Sequence, residues 1–292
     1  MRAMRIHGYG GPDVIVADEV PRPVPGDGEL LVRVAATAFN PSEVGLRRGL
    51  LREVLPIGFP YTLGWDVSGT VVSAGAGFAA GNPVVGRLDA GGAAADYVVA
   101  PAGALVGLPP GVPVAAAAAL PVAGLTAMQA VADLRAGQRV LVNGAGGAVG
   151  WFAVQLAKRA GAHVVATASA RTAATVARSG ADEIIDHTTT PLDGVGADVL
   201  LHLAPAAAPV GAVRPGGAIV SATGPVVAPP SVRSTHFVVA ADPRRLAELV
   251  ALVAAGELRI EIAATRPLTD LPAVHQDAEG DRLRGKVLLV PA

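Results

Sequence analysis

The sequence predicts an α/β protein: a doubly wound parallel sheet with helices on both faces, joined to a smaller β-rich domain. Three observations predict it. Short β-branched runs broken by Gly and Pro fill roughly the first hundred residues. From Leu120 onward, apolar strands alternate with helical segments. A glycine-rich turn, residues 144–150, joins the first of those strands to its helix. Strand–helix alternation is the pattern of a parallel sheet, because each parallel connection must cross the sheet and a helix makes that crossing.

The elements follow in order. Leu30-Leu31-Val32-Arg33-Val34, residues 67–72, Val84-Val85 and Tyr97-Val98-Val99 read as short strands. Pro25-Gly26-Asp27-Gly28 and Gly75-Ala76-Gly77 mark turns between them, which suggests a small barrel or sandwich. Arg139-Val140-Leu141-Val142 reads as a buried strand. Val149, Phe152, Ala153 and Leu156 then repeat at i, i+3, i+4 and i+7, one face of a helix. Residues 163–167 form the next strand, and 183–185, 198–201, 218–220 and 237–239 are further candidates. Residues 243–255 read as a helix with Pro243 in its first turn. β character returns at 260–263 and 286–290, so a β domain split around a central α/β domain is expected.

Composition bounds the function. The chain has 292 residues, which at roughly 150 residues each suggests two domains. It is 51% hydrophobic, which supplies a large core and excludes a disordered chain. Its 23 basic and 24 acidic residues leave a net charge of −1, without the basic excess of a nucleic-acid binder. Cysteine is absent, which removes disulfides, thiolate zinc sites, iron–sulfur clusters and cysteine nucleophiles. The longest apolar run, 112–123, contains Pro113 and Pro121 and falls short of the ~20 residues of a membrane span. The opening residues, Met1-Arg2-Ala3-Met4-Arg5-Ile6-His7, lead into glycine with no apolar core behind the charges. A soluble cytoplasmic protein is expected.

The most informative segment is Asn143-Gly144-Ala145-Gly146-Gly147-Ala148-Val149-Gly150. The strict G-x-G-x-x-G pattern fails at Val149; the spacing that fits is Gly144-x-x-Gly147-x-x-Gly150. Glycine lets the backbone turn tightly and lets a pyrophosphate approach the helix N-terminus, where free N–H groups and the helix dipole favour negative charge. A turn of this kind can also be purely structural. Binders of NAD place an acid about 20 residues further on, for the ribose hydroxyls. Here that stretch is Thr167-Ala168-Ser169-Ala170-Arg171-Thr172, with no acid. A hydroxyl and a guanidinium suit a 2′-phosphate, so NADP(H) is the expected cofactor. The competing reading makes Arg171 a solvated residue at a helix start.

With these residues in hand, the sequence resembles the zinc-free quinone oxidoreductase branch of the medium-chain dehydrogenase/reductase superfamily. The likeness rests on Asn40-Pro41-Ser42-Glu43, residues 64–71 and 120–127, the glycine turn, Ser169-Ala170-Arg171, residues 180–186 and Arg284-Gly285-Lys286-Val287. The resemblance implies a GroES-like β domain from residues 1–120 and 257–292 around a Rossmann NADP(H)-binding domain, 121–256, with the cofactor in the cleft. It implies that Asn40 and Thr126 lie near the nicotinamide. Gly144, Gly147, Ala148 and Val149 would face the pyrophosphate, and Ser169, Arg171 and His187 the adenosine phosphate. Thr223, Gly224, Phe237 and Val238 would line the nicotinamide side, and Arg284 or Lys286 would reach the cofactor. It also implies a homodimer paired through the edge of the central sheet.

The family's zinc branch is not expected. The position of its metal-ligand His-Glu pair is Trp65-Asp66, and the six histidines (His7, His163, His187, His202, His236 and His275) show no ligand spacing. Departures from the zinc-free pattern also stand out. The acid after Asn-Pro is Glu43, the later stretch Leu46-Arg47-Arg48-Gly49-Leu50-Leu51 lacks the Tyr that donates a proton, and the acidic or polar position after the fourth strand is His202. The expected activity is NADPH-dependent hydride transfer to a quinone or an α,β-unsaturated carbonyl. Asn40 is the leading polar group at the reaction centre and Tyr61 a candidate donor; their bland roles are a turn cap before Pro41 and a core or rim aromatic. Two alternatives stay open. One is NADP(H) binding without turnover, or with a redox-neutral rearrangement or cyclisation. The other, weaker, is a zinc-free alcohol dehydrogenase.

Overall fold

Glycine and proline cut the N-terminal part into eight short strands. They are β1 (Arg2–Ile6), β2 (Ile15–Glu19), β3 (Glu29–Ala38), β4 (Tyr61–Thr62), β5 (Asp66–Val71), β6 (Pro83–Arg87), β7 (Tyr97–Pro101) and β8 (Leu105–Gly107). Helix α1 (Ser42–Arg47) follows β3, and α2 (Val114–Ala117) follows β8. The structure, a computed structural model, describes residues 1–292. Alternation along β3 sends Leu30, Val32 and Val34 into one core with Val67, Val71, Val84 and Leu105. That shared burial holds the antiparallel pairs β3–β5 and β5–β6 in register.

The next part begins with α3 (Leu125–Ala130) and then alternates: β9 (Arg139–Asn143), α4 (Ala148–Arg159), β10 (His163–Ala168), α5 (Ala173–Ser179), β11 (Glu183–Asp186), β12 (Ala197–His202), β13 (Val213–Ser221) and β14 (Arg233–His236). All pairs are parallel, in the order β11-β10-β9-β12-β13-β14. This is the doubly wound Rossmann arrangement, whose switch point falls between β9 and β12. Val165, Leu141, Leu200 and Ile219 stand side by side across four neighbouring strands and are all buried. Strands covered on both faces read as unbroken apolar runs, which is why sequence finds them.

The chain then returns through α6 (Pro243–Ala254), α7 (Leu271–Glu279), β15 (Ala264–Pro267) and β16 (Val287–Val290). Asp242 caps α6, accepting from the N–H groups of Arg244 and Arg245 at 3.1 Å. β16 pairs with β3 and β15, extending the sheet to β15-β16-β3-β5-β6-β8, while β2-β1-β4 form a separate small sheet. Contacts divide the chain into one unit of residues 1–122 with 241–292 and a second of residues 123–240. No helix is long and apolar enough to cross a membrane.

Three expected boundaries move. The last parallel strand lies at Arg233–His236 rather than 237–239, because its only neighbour, β13, stops at Ser221; Phe237 gives its N–H to the Ser221 carbonyl and pairing ends there. The C-terminal strand expected at 260–263 is Ala264–Pro267, where β16 supplies a partner. The return to the first unit comes at 241 rather than 257: α6 buries Leu246, Leu249 and Val250 and packs against β8.

Candidate functional site

The glycine turn sits at the C-terminal ends of the parallel strands, beside the switch point. Gly144 adopts φ +96°, a left-handed conformation that side chains with a Cβ disfavour. Its carbonyl accepts the Gly147 N–H at 3.0 Å, which closes the loop. A Cβ on Gly150 would lie 2.3 Å from that same carbonyl oxygen, so only glycine lets the helix start this close. Gly147 is the N-cap of α4 and no side chain caps it. The N–H groups of Ala148, Val149 and Gly150 find no partner within the protein. Uncapped N–H groups at the start of a twelve-residue helix, behind a glycine loop that admits close approach, fit the pyrophosphate of a dinucleotide.

The adjacent strand ends carry the remaining candidates of this unit. Ala168 lies opposite Asp186, so Ser169 and His187 follow directly at neighbouring strand ends, with Arg171 two residues beyond Ser169. Arg171 and His187 are exposed, and Thr172 Oγ1 accepts the Ser169 N–H at 3.0 Å. Residues 169–181 contain no carboxylate. Thr223 and Gly224 follow β13 and, with His202 and residues 205–208, line a cavity of about 420 Å³. Thr126 is buried on α3, Phe237 is half-buried, and Val238 is 78% exposed.

One hydrogen-bonded chain crosses three strand ends here. Gly144 N–H donates to Thr167 Oγ1 at 3.0 Å. Thr167 donates to Asn143 Oδ1 at 3.2 Å, and Asn143 Nδ2 donates to His202 Nδ1 at 3.1 Å. Burial holds the His202 imidazole below its ordinary range, against the opposing effect of the Ala206 backbone.

In the first unit, four polar residues form a buried cluster: Asn40, Glu43, Asp66 and Lys286, each 3% exposed or less. The Lys286 ammonium donates to Asn40 Oδ1 at 2.7 Å, Asp66 Oδ2 at 3.0 Å and the Phe39 carbonyl at 3.3 Å. Asn40 Nδ2 faces Asp66 Oδ2 at 3.0 Å, the Ala38 carbonyl at 3.2 Å and Glu43 Oε1 at 3.3 Å. Asp66 Oδ1 accepts the Val122 N–H at 2.8 Å. Burial, and then the Asp66 charge, push the Glu43 carboxyl up to about 7 against its hydrogen bonds from Asn40 and the charge of Lys286.

The candidates of this unit are therefore heavily engaged. Asn40 has both amide hydrogens committed inside the cluster, and Lys286 has its charge paired there. Arg284 is held locally by Asp281 at 3.1 Å. The Tyr61 hydroxyl is enclosed beside Gly91, and burial pushes it up to about 12. Sequence reasoning missed the partnership of Asp66 and Glu43 with Lys286, and the chain from Thr167 to His202. The available signal was position: Asn143, Thr167 and His202 each follow directly on a run of three apolar residues, in the last two places of a strand.

Comparison with known proteins fits this geometry. The family described as alcohol dehydrogenase GroES-like domain matches residues 26–110, and that described as zinc-binding dehydrogenase matches 179–289. A quinone-oxidoreductase homolog, chloroplastic, from Spinacia oleracea is 42% identical over 203 residues, which is 65% of this chain and 62% of that protein. The match thus spans less than two thirds of that relative. Among solved structures, an NAD-dependent alcohol dehydrogenase is 30% identical with a TM-score of 0.88, covering 99% of both chains. The Escherichia coli quinone oxidoreductase complexed with NADPH has a TM-score of 0.89 at 25% identity, covering 100% of both. The fold is that of the dehydrogenase/reductase class, and the glycine loop is of a shape that a dinucleotide fits. The chain belongs to the medium-chain dehydrogenase/reductase superfamily, in its quinone oxidoreductase branch.

Proposed function

We propose that this protein is an NADPH-dependent, zinc-independent reductase acting on a quinone or an α,β-unsaturated carbonyl. The observation that carries the reading is the open start of α4, where the N–H groups of Ala148, Val149 and Gly150 stand unpartnered behind a loop built from glycine. Those groups would hold the pyrophosphate. Ser169 and Arg171, in a stretch (169–181) that carries no carboxylate, would hold a 2′-phosphate. His187, at the neighbouring strand end, would add a ring N–H donor. The nicotinamide would supply a hydride, and the protein's part is to orient it and exclude water. The family description that mentions zinc covers residues 179–289, but the chain has no cysteine to supply a thiolate ligand. A quinone suits this chain better than an acceptor that needs a protein acid, because the hydroquinone monoanion left by hydride transfer can take its one remaining proton from water. The reading includes a homodimer paired through β14, whose four residues are all exposed.

The test is NADPH consumption at 340 nm with quinones and simple enones, run beside a binding titration. Oxidation with at least one acceptor class is expected. Tight binding without oxidation favours the second reading, a dinucleotide binder without reductase turnover. The full commitment of the Asn40 amide inside the buried cluster is the observation that keeps this second reading in view.

A further inference from the structure

The parallel sheet has its switch point between β9 and β12, and there the two strands are joined by side chains as well as by backbone. Asn143 and His202 are register partners at the C-terminal ends of those strands. Their side chains are hydrogen-bonded at 3.1 Å, and both residues and Thr167 are no more than 6% exposed. The chain of bonds runs from the glycine loop to the last residue of β12. At one end Thr167 Oγ1 takes the Gly144 N–H. At the other, His202 closes β12, and the loop after it begins at the next residue.

Gly144 belongs to the loop before α4, and His202 leads into the loop that touches it. The loops touch: a Cβ on Gly144 would meet Ala204 N and Leu203 C at 2.9 Å, and Leu203 N–H donates to the Asn143 carbonyl at 2.9 Å. Glycine enters a left-handed turn readily and leaves it as readily, so the loop keeps one shape only where surrounding bonds define it. The side-chain chain defines it here. The geometry points to Asn143, Thr167 and His202 as positioning residues that hold the glycine loop, and the loop following β12, in the shape that receives a dinucleotide. This role rests on the dinucleotide reading above and extends it to three residues that would not themselves touch the phosphates.

The bonding order gives the role its specificity. Thr167 must accept from Gly144 and donate to Asn143, so Asn143 must turn its oxygen toward Thr167 and its NH₂ toward His202. His202 must then present a bare Nδ1. An asparagine at 202 can offer an acceptor in place of Nδ1, whereas a leucine of similar bulk cannot.

The experiment is a calorimetric titration of the full chain with NADPH at neutral pH, with the melting temperature of each variant recorded without ligand. His202→Leu should raise the dissociation constant by about ten-fold, the consequence of losing roughly one net hydrogen bond's worth of order. His202→Asn should recover most of that loss. Asn143→Leu combined with His202→Leu should bind no more weakly than His202→Leu alone, because one chain has already been broken. Should His202→Leu fail to fold, Thr167→Val carries the same test, since it keeps the shape and removes the bridging hydroxyl. Wild-type affinity in the leucine variant, or an equal loss in the leucine and asparagine variants at equal melting temperature, overturns the positioning role. An unmodified protein that binds NADPH not at all overturns the dinucleotide reading itself, and the role with it.

Discussion

The Lys286 ammonium lies 3.0 Å from Asp66 Oδ2, across 220 positions of sequence, with both side chains shut away from solvent. Lys286 immediately precedes β16 and Asp66 opens β5, so the pair fastens the returning C-terminal strand to the sheet begun by the N-terminal part. A buried charge pair adds little net stability over an apolar substitute, yet breaking it strands one charge. Lys286→Met should therefore lower unfolding stability by about 3–5 kcal/mol. The double substitution Lys286→Met with Asp66→Leu should recover part of that loss. Urea denaturation curves read both values, and a single variant as stable as the parent would contradict the assignment.

Glu43 gives the same cluster a pH dependence of definite sign. Its carboxyl is held up to about 7 in the fold against an ordinary value of 4.5. A raised folded value favours the protonated form, so its contribution is complete below pH 4.5 and disappears as pH rises through 7. The size of that change is about 3 kcal/mol. Glu43→Gln should flatten the stability profile over this interval, as measured by denaturation midpoints at successive pH values. A profile with unchanged slope would count against it.

Two glycines of the α4 entry should respond differently. A Cβ on Gly147 would lie 3.4 Å from the nearest atom, whereas one on Gly150 would be 2.3 Å from the Gly144 carbonyl oxygen. Gly147→Val should therefore fold and lose NADPH binding, because its side chain occupies the space before the helix. Gly150→Ala should destabilise the protein by about 1–3 kcal/mol, as overpacking does. Thermal melts and binding titrations on both variants separate the two effects.

Arg171→Ala should weaken NADPH binding by roughly 1–3 kcal/mol, the scale of a lost charged hydrogen bond. NADH should be nearly unaffected, because it lacks the 2′-phosphate. Equal losses for both cofactors would place Arg171 elsewhere in the site.

Much of the fold was legible because burial writes itself into local sequence. β9, β10 and β12 are covered on both faces and appear as short apolar runs within a residue or two of their ends. α4 announced itself through Val149, Phe152, Ala153 and Leu156, of which the last three are buried. β14 was displaced because it is an exposed edge of Arg, Ser, Thr and His, with no apolar pattern to mark it. The glycine turn was legible because pyrophosphate chemistry demands residues without side chains. The partners of Lys286 were not, since nothing local to Gly285-Lys286-Val287 refers to Asp66.

The amino-acid sequence alone determined the alternation of strand and helix, the glycine spacing, the absence of thiols and the missing acid after the second parallel strand. These are matters of residue type and short spacing, which a linear chain carries by itself. Only the tertiary structure decided that Asn40 and Lys286 turn inward on Asp66, and that Thr167, Asn143 and His202 form one hydrogen-bonded line. A buried polar group must find its partners within about 3 Å, and residues distant in sequence come that close only once the sheets have closed around them.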